Sequence, residues 1–284
     1  MNQILYYFFI LPISYLPYFI IYGISNFLCF VLKNIIRYRR ELIYNNIQRS
    51  FPKKSPKEVN EILGKFYSHF TDIILESFKG FTISKKNIQK RFIPNNHDLI
   101  NQFKDKNIIL IGGHYNNWEL CAQAVPIDFQ HETYAIYKPL SNKFFDEKMR
   151  KSRGRFGLKL IPMKSTKRKF TENHSIKKAI IFGSDQSPSN PKRSYWINFL
   201  NQETGFLYGA EKYAREFNWP IIYASISKNK RGFYYVDYTL ISDKPTKTKV
   251  GEITSKFAQL LQKDIQNAPE YWLWSHNRWK HKKP

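Results

Sequence analysis

Apolar side chains are distributed along the chain in three ways, and each way predicts a different kind of element. From Ile4 to Leu32 they run almost without interruption, and no side chain in residues 1–32 is charged. Further on, Val59, Ile62, Leu63, Phe66, Phe70, Ile73, Ile74 and Phe78 recur at the spacing of one helix face. Beyond Gly80 short apolar runs alternate with helical patterns. Residues 91–93, 108–111, 133–137, 158–161, 179–182, 221–225 and 234–240 read as strands. Residues 97–103, 118–124, 142–155, 205–217 and 250–266 read as helices. Such alternation predicts an α/β fold: a single globular domain with a mixed, largely parallel sheet flanked by helices.

The first 32 residues stand apart. About 20 apolar residues suffice to cross a bilayer. A cleaved signal peptide would show a basic start, a shorter apolar core and small residues before the cut, and none is present. Pro12 and Pro17 break a regular helix, so a kinked or interfacial lie is an alternative to a straight span. Lys33, Arg37, Arg39 and Arg40 follow at once, and by the positive-inside tendency that end and everything after it is expected to face the cytoplasm. The expected organisation is a membrane-anchoring helix over 1–32 and one globular domain over 33–284. A buried helical hairpin in a soluble core is the competing reading. Residues 40–49 suggest a short amphipathic helix, and Ser55-Pro56-Lys57-Glu58 is a capping box opening the next one.

Composition sharpens this picture in two respects. With 17% aromatic and 42% hydrophobic residues the chain can build a core, which removes disorder as a class. The net charge of +24 attracts polyanions: nucleic acid, anionic lipid headgroups or an acidic protein. A nucleic-acid-binding protein is therefore a rival, but it leaves residues 1–32 unexplained. Cys29 and Cys121 lie among apolar neighbours and read as buried, reduced thiols.

Candidate chemistry gathers after the strand at 108–111. Gly112-Gly113 leads into His114, and Glu119 follows five positions later. On one continuous helix such residues point about 140° apart, so they meet only if His114 lies in the turn before the helix. The glycines permit that turn, and Asn116 or Asn117 can cap the helix. Glu119 would then accept a hydrogen bond from one imidazole nitrogen and leave the other as a base. The plainer reading makes His114 a structural histidine and Glu119 a capping residue. Strand C-termini are nevertheless where open α/β sheets bind ligands.

Gly112-Gly-His-Tyr-Asn-Asn-Trp-Glu-Leu120 resembles the signature of the bacterial lipid A late acyltransferases, the lauroyl and myristoyl transferases of the lysophospholipid acyltransferase group. Tyr137-Lys-Pro-Leu-Ser-Asn142 with Arg153-Gly-Arg-Phe-Gly157 is similar to that family's next segment. Ser184-Asp-Gln186 is similar to its Asp-Gln loop, and residues 268–280 to its closing P-E-Q-Y-x-W-x-H-x-R-W-K. The resemblance covers nearly the whole chain and implies a membrane enzyme moving an acyl chain from a thioester, acyl carrier protein or coenzyme A, to a lipid hydroxyl. It implies catalytic roles for His114, Glu119, Arg153 and Asp185. Tyr271-Trp272 where Gln-Tyr is common, and Lys138 where arginine is usual, leave the acceptor open among lipid A precursor, aminolipid, phospholipid and other glycolipid.

The residues argue for the same chemistry. A thioester expels a thiol of pKa about 8.5, so the main need is a base for the hydroxyl proton. No serine or cysteine nucleophile is evident, which favours direct transfer over an acyl-enzyme. Backbone N–H groups at 112–116 or Arg153 would serve the oxyanion. Arg153 is also a candidate for an acceptor phosphate or carboxylate, with a structural salt bridge as its alternative. Asp185 bonds that arginine, shapes the donor site or makes a turn. No cofactor and no metal is expected, since no H-E-x-x-H or similar cluster occurs. His276, Arg278 and the closing tryptophans Trp272 and Trp274 read as packing.

Overall fold

Ile108-Ile-Leu-Ile111 has no polar side chain, and it forms a strand buried on both faces at the centre of the sheet. In the computed structural model, which describes residues 2–172 and 175–284, it is β2, Ile108–Gly112. The other strands of the main sheet are β1 (Phe92–Pro94), β3 (Glu132–Tyr137), β4 (Lys159–Pro162), β5 (Lys178–Gly183), β8 (Ile221–Lys230) and β9 (Phe233–Ser242). Seven strands run in the order β1-β9-β8-β2-β5-β3-β4, and every pairing is parallel except β8 with β9. The molecule is thus an α/β domain with a mixed, mostly parallel sheet, as the alternating pattern predicts.

Period-two alternation splits the core into two halves. Ile108 and Leu110 pack with Leu120, Cys121, Ala124 and Val125 of the Trp118–Asp128 helix on one face. Ile109 and Ile111 face the other side, with Val59, Leu63 and Phe66 of the Pro56–Lys79 helix and Phe257 and Leu261 of the Glu252–Asn267 helix in the same cluster. Each fully buried Ile or Leu contributes roughly 1.5–3 kcal/mol, so this four-residue run holds both layers in place.

Element boundaries differ from the sequence reading where local signals are weak. The helix expected over 97–103 is only Asp98–Asn101, and that over 142–155 is Lys143–Arg153, with Asn142 accepting from the Phe145 N–H as N-cap. The helix expected from 205 begins at Gly209, because residues 202–207 form a strand. That strand, β7 (Gln202–Leu207), pairs antiparallel with β6 (Ser194–Phe199) in a separate hairpin. Its turn residues Leu200 and Asn201 both have positive φ, the backbone of a tight hairpin but without the usual glycine. The Ser55 capping box is present, with the Glu58 N–H donating to Ser55 Oγ and the Ser55 N–H to Glu58 Oε2.

The N-terminal apolar stretch is not one straight helix. Pro12 has no N–H to offer the preceding turn, and Tyr6–Ile10 is a π-helix. Leu16, held extended by Pro17, then divides the stretch, and Tyr18–Phe30 follows as a helix prolonged by π-helical Val31–Ile35. Tyr18–Ile35 is long and apolar enough to cross a membrane. One side of it is fastened to the domain: Tyr22 donates to Glu76 (2.9 Å) and Ser25 to Asp72 (2.7 Å). Lys79 caps the chain at the break by donating to the carbonyls of Ser14 and Leu16. The opposite side is bare, with Phe19 77% and Phe27 69% exposed.

The C-terminal segment closes the domain as packing. Tyr115 bridges antiparallel to Trp272, and the fully buried Trp274 stands edge-on to Trp272 at 4.8 Å. Replacing Trp274 with Ala should cost about 3–5 kcal/mol, the usual range for a buried aromatic. A denaturant midpoint unchanged from wild type would refute that closing role.

Candidate functional site

Strand register decides which side chains meet. Gly112 pairs with Gly183 where β2 and β5 end. Two residues beyond each glycine lie His114 and Asp185, so parallel pairing brings them to the same level above the sheet. His114 Nδ1 lies 2.6 Å from Asp185 Oδ1, and the His114 backbone N–H donates to Oδ2 at 2.8 Å. The Trp272 indole N–H adds a third bond to Oδ2 at 2.9 Å. The approach is tight at two glycines. A Cβ on Gly113 would come within 2.8 Å of Leu261, and one on Gly183 within 3.2 Å of the His114 ring.

Asp185 is only 2% exposed. Burial by itself would raise its pKa, but the adjacent imidazole and the three hydrogen bonds outweigh it and hold the carboxyl at about 2. For His114, burial disfavours the charged ring, yet the Asp185 carboxylate prevails and lifts its pKa above the ordinary histidine value. An ionised Asp185 at Nδ1 requires a proton there, which leaves Nε2 of the neutral ring as the basic atom. Nε2 lies 3.2 Å from the side-chain nitrogen of Gln186. The ring is also edge-packed by Trp118 at 5.2 Å.

The turn itself is braced. Asn116 takes a left-handed backbone, donates its N–H to the Tyr271 carbonyl and sends its amide to the Ile226 carbonyl. Asn117 caps the helix by accepting from the Leu120 N–H, and its own amide donates to Glu76 at 2.6 Å.

Glu119 lies in the first turn of that helix, but its carboxylate is not on the imidazole. Arg153 grips it with two bonds, Nε to Oε2 at 2.9 Å and Nη2 to Oε1 at 2.5 Å. The expected His114–Glu119 hydrogen bond is therefore replaced by His114–Asp185, and the arginine expected to meet a substrate anion or Asp185 is closed on Glu119. The reason is the sheet: β5 is the immediate neighbour of β2 and delivers a carboxylate directly beside Nδ1. Glu119 instead faces the Lys143–Arg153 helix. His276 and Arg278 serve as fasteners, as the sequence suggests. His276, kept neutral by burial that lowers its pKa to about 4, accepts from the Ser187 N–H at 2.9 Å. Arg278 donates to the Gly205 carbonyl at 2.7 Å.

In front of His114 opens a cavity of about 820 Å³. Its walls are largely apolar, including Leu110, Val125, Ile136, Leu158 and Ile181, while Lys138, Arg150 and Arg153 supply charge. Such a volume suits a small-molecule or alkyl ligand. Cys121 also lines it, but burial pushes its thiol up to about 12, so it is not a nucleophile at neutral pH. Among the described residues no three His, Cys, Asp or Glu side chains gather as a metal-binding group.

A histidine backed by a buried carboxylate and facing a largely apolar cavity is compatible with an enzyme acting on a fatty-chain substrate. A family model described as bacterial lipid A biosynthesis acyltransferase matches residues 2–281, so the chain belongs to that family. No curated protein matches it.

Two features of the site escape a reading of the sequence. Gln186 lies inside a quoted motif but gives no sign of touching the base. Trp272 carries no signal that its indole reaches a carboxylate 87 residues away.

The local electrostatics predict how the base titrates. His114 should lose its proton above the usual histidine pKa in wild type, since Asp185 favours the charged ring. In Asp185→Asn burial becomes the leading influence, with the Glu119 and Arg153 charges opposing each other, so the transition should move to lower pH. Histidine-labelled NMR titration reads this directly, and an unmoved or raised pKa in the variant would contradict the assignment.

Proposed function

We propose that the enzyme transfers a fatty acyl chain from a thioester, with acyl carrier protein as the donor, to a hydroxyl of a lipid A precursor. His114 Nε2 takes the hydroxyl proton, and Asp185 orients and stabilises the ring in the manner of the acid in a hydrolase triad. The observation that carries this reading is the short Nδ1–Asp185 bond, which leaves Nε2 basic and turned toward an apolar cavity. Transfer is direct, within a ternary complex, because the only cysteine at the cavity is held as a thiol. The Glu119–Arg153 pair acts by fixing the cavity wall. Its two bonds join the helix after His114 to the helix after β3.

We propose further that the enzyme works at the cytoplasmic face of the inner membrane, with residues 1–32 as its anchor. Support comes from the bare aromatic face of the Tyr18–Ile35 helix and the basic residues after it. Near an anionic lipid surface each such Lys or Arg adds about 1 kcal/mol. An acidic carrier protein would meet the same positive field.

His114→Ala should lower turnover by at least about 10²-fold with the fold intact, the scale of a lost general base. Since the base must be neutral, activity should fall as pH drops through the raised pKa of His114. In Asp185→Asn that acid limb should move to lower pH while turnover falls. Lipid mass spectrometry of a strain lacking the protein should show an acceptor lighter by one acyl chain. A wild-type lipid profile would defeat the assigned substrate.

The anchor has its own test. The protein should remain with the membrane fraction at high salt, where screening removes electrostatic attachment. Release by salt alone would mean that the apolar segment does not insert.

A further inference from the structure

Resting on the general-base reading of His114, one requirement of the reaction is still unassigned. As the acceptor oxygen bonds to the thioester carbonyl carbon, its proton moves to His114 Nε2 and the carbonyl π electrons become an oxyanion. Collapse re-forms the C=O bond, breaks the C–S bond, and the leaving sulfur takes the proton back from Nε2. The oxyanion needs a preorganised donor, and such a donor is among the largest contributors to this type of catalysis.

Several donors near the base are already occupied. The His114 N–H donates to Asp185, the Asn116 N–H to the Tyr271 carbonyl and the Ser184 N–H to the Gly112 carbonyl. The Ser187 N–H donates to His276, and the Trp272 indole to Asp185. Arg153 spends Nε and Nη2 on Glu119 and is anchored in the cavity wall by them. Using any of these donating atoms would break a bond that holds the site together.

Gln186 differs. Its amide nitrogen, 3.2 Å from His114 Nε2, donates to the one acceptor that the substrate hydroxyl must occupy. Arrival of the hydroxyl therefore frees this donor without disturbing any structural bond. In a tetrahedral intermediate the oxyanion and the attacking oxygen share one carbon, so a donor already beside Nε2 lies within reach of both. Gln186 also lines the cavity and follows Asp185 directly, which fixes its backbone to the end of β5.

We propose that Gln186 is a catalytic residue: its side-chain amide leaves His114 Nε2 as the hydroxyl binds and donates to the oxyanion of the tetrahedral intermediate.

The test compares Gln186→Ala and the isosteric Gln186→Glu with wild type and His114→Ala, using purified full-length enzyme, an acyl thioester and a lipid acceptor. Both Gln186 variants should lose about 10²–10³-fold in kcat, the scale of a missing oxyanion donor, with KM little changed. The acid limb of the Gln186→Ala pH profile should stay in place, because Asp185 still governs the base. Should the alanine variant fold poorly, the glutamate variant keeps the shape and replaces the donor with a carboxylate; that charge raises the His114 pKa, so its kcat is read above the acid limb. An inactive His114→Ala beside a Gln186→Ala within about tenfold of wild-type kcat overturns this role alone. So does a loss confined to KM, or one explained by a moved acid limb, which would make Gln186 a positioning residue. An active His114→Ala overturns the base assignment as well.

Discussion

The site depends on one buried carboxylate. Asp185 accepts from the His114 ring, from the His114 backbone and from the Trp272 indole, so it ties the ends of β2 and β5 to the C-terminal segment. Withdrawing a carboxylate from water costs several kcal/mol unless its lone pairs are satisfied, and removal of one partner leaves the charge uncompensated. The ring orientation is thus enforced by the same balance that keeps the carboxyl ionised at about 2. Ring orientation, tautomer and closing segment are determined together.

A second acid–base pair has a different task. Glu119 and Arg153 meet fork to fork, a geometry that restricts both side chains. Gln123 donates to Ser152 between the same two helices at 3.1 Å. These contacts join the two helices that border the cavity near His114. Both members of the ion pair are partly exposed, so screening limits what it adds to stability. Its stronger effect is on shape.

How far the sequence discloses all this follows from the range of each interaction. The strand at 108–111, the capping box at Ser55 and the helix after His114 rest on neighbouring residues, and they were legible. So was the placement of His114 in a turn, because glycine pairs after an apolar run act locally. The partner of His114 was not legible. It depends on β5 lying beside β2, a pairing across 71 residues that periodicity cannot rank above a glutamate five positions away. The β6–β7 hairpin was hidden for another reason: Leu200-Asn201 adopts positive φ without the glycine that normally advertises it. Family membership secured the type of reaction, whereas the pairing of His114 with Asp185 rather than with Glu119 emerges only from register.

The N-terminal segment belongs to the same mechanical unit as the site. Glu76, wholly buried and with its pKa raised chiefly by that burial, accepts from Tyr22 of the apolar helix, from Tyr234 of β9 and from Asn117. Asn117 is the cap of the helix that carries Glu119. Three elements are thereby joined at one carboxylate, the outer one bearing the bare aromatic face. The segment also reaches the cavity from the other direction, since Ile10 lines it together with Phe78 and Phe81. If the outer face rests in lipid, as proposed, the N-terminal segment meets the bilayer through its helix after Pro17 and the cavity through Ile10 before it. A bilayer that shifted the segment would therefore act on the cavity wall through Ile10, and on the His114 turn through the shared acceptor Glu76.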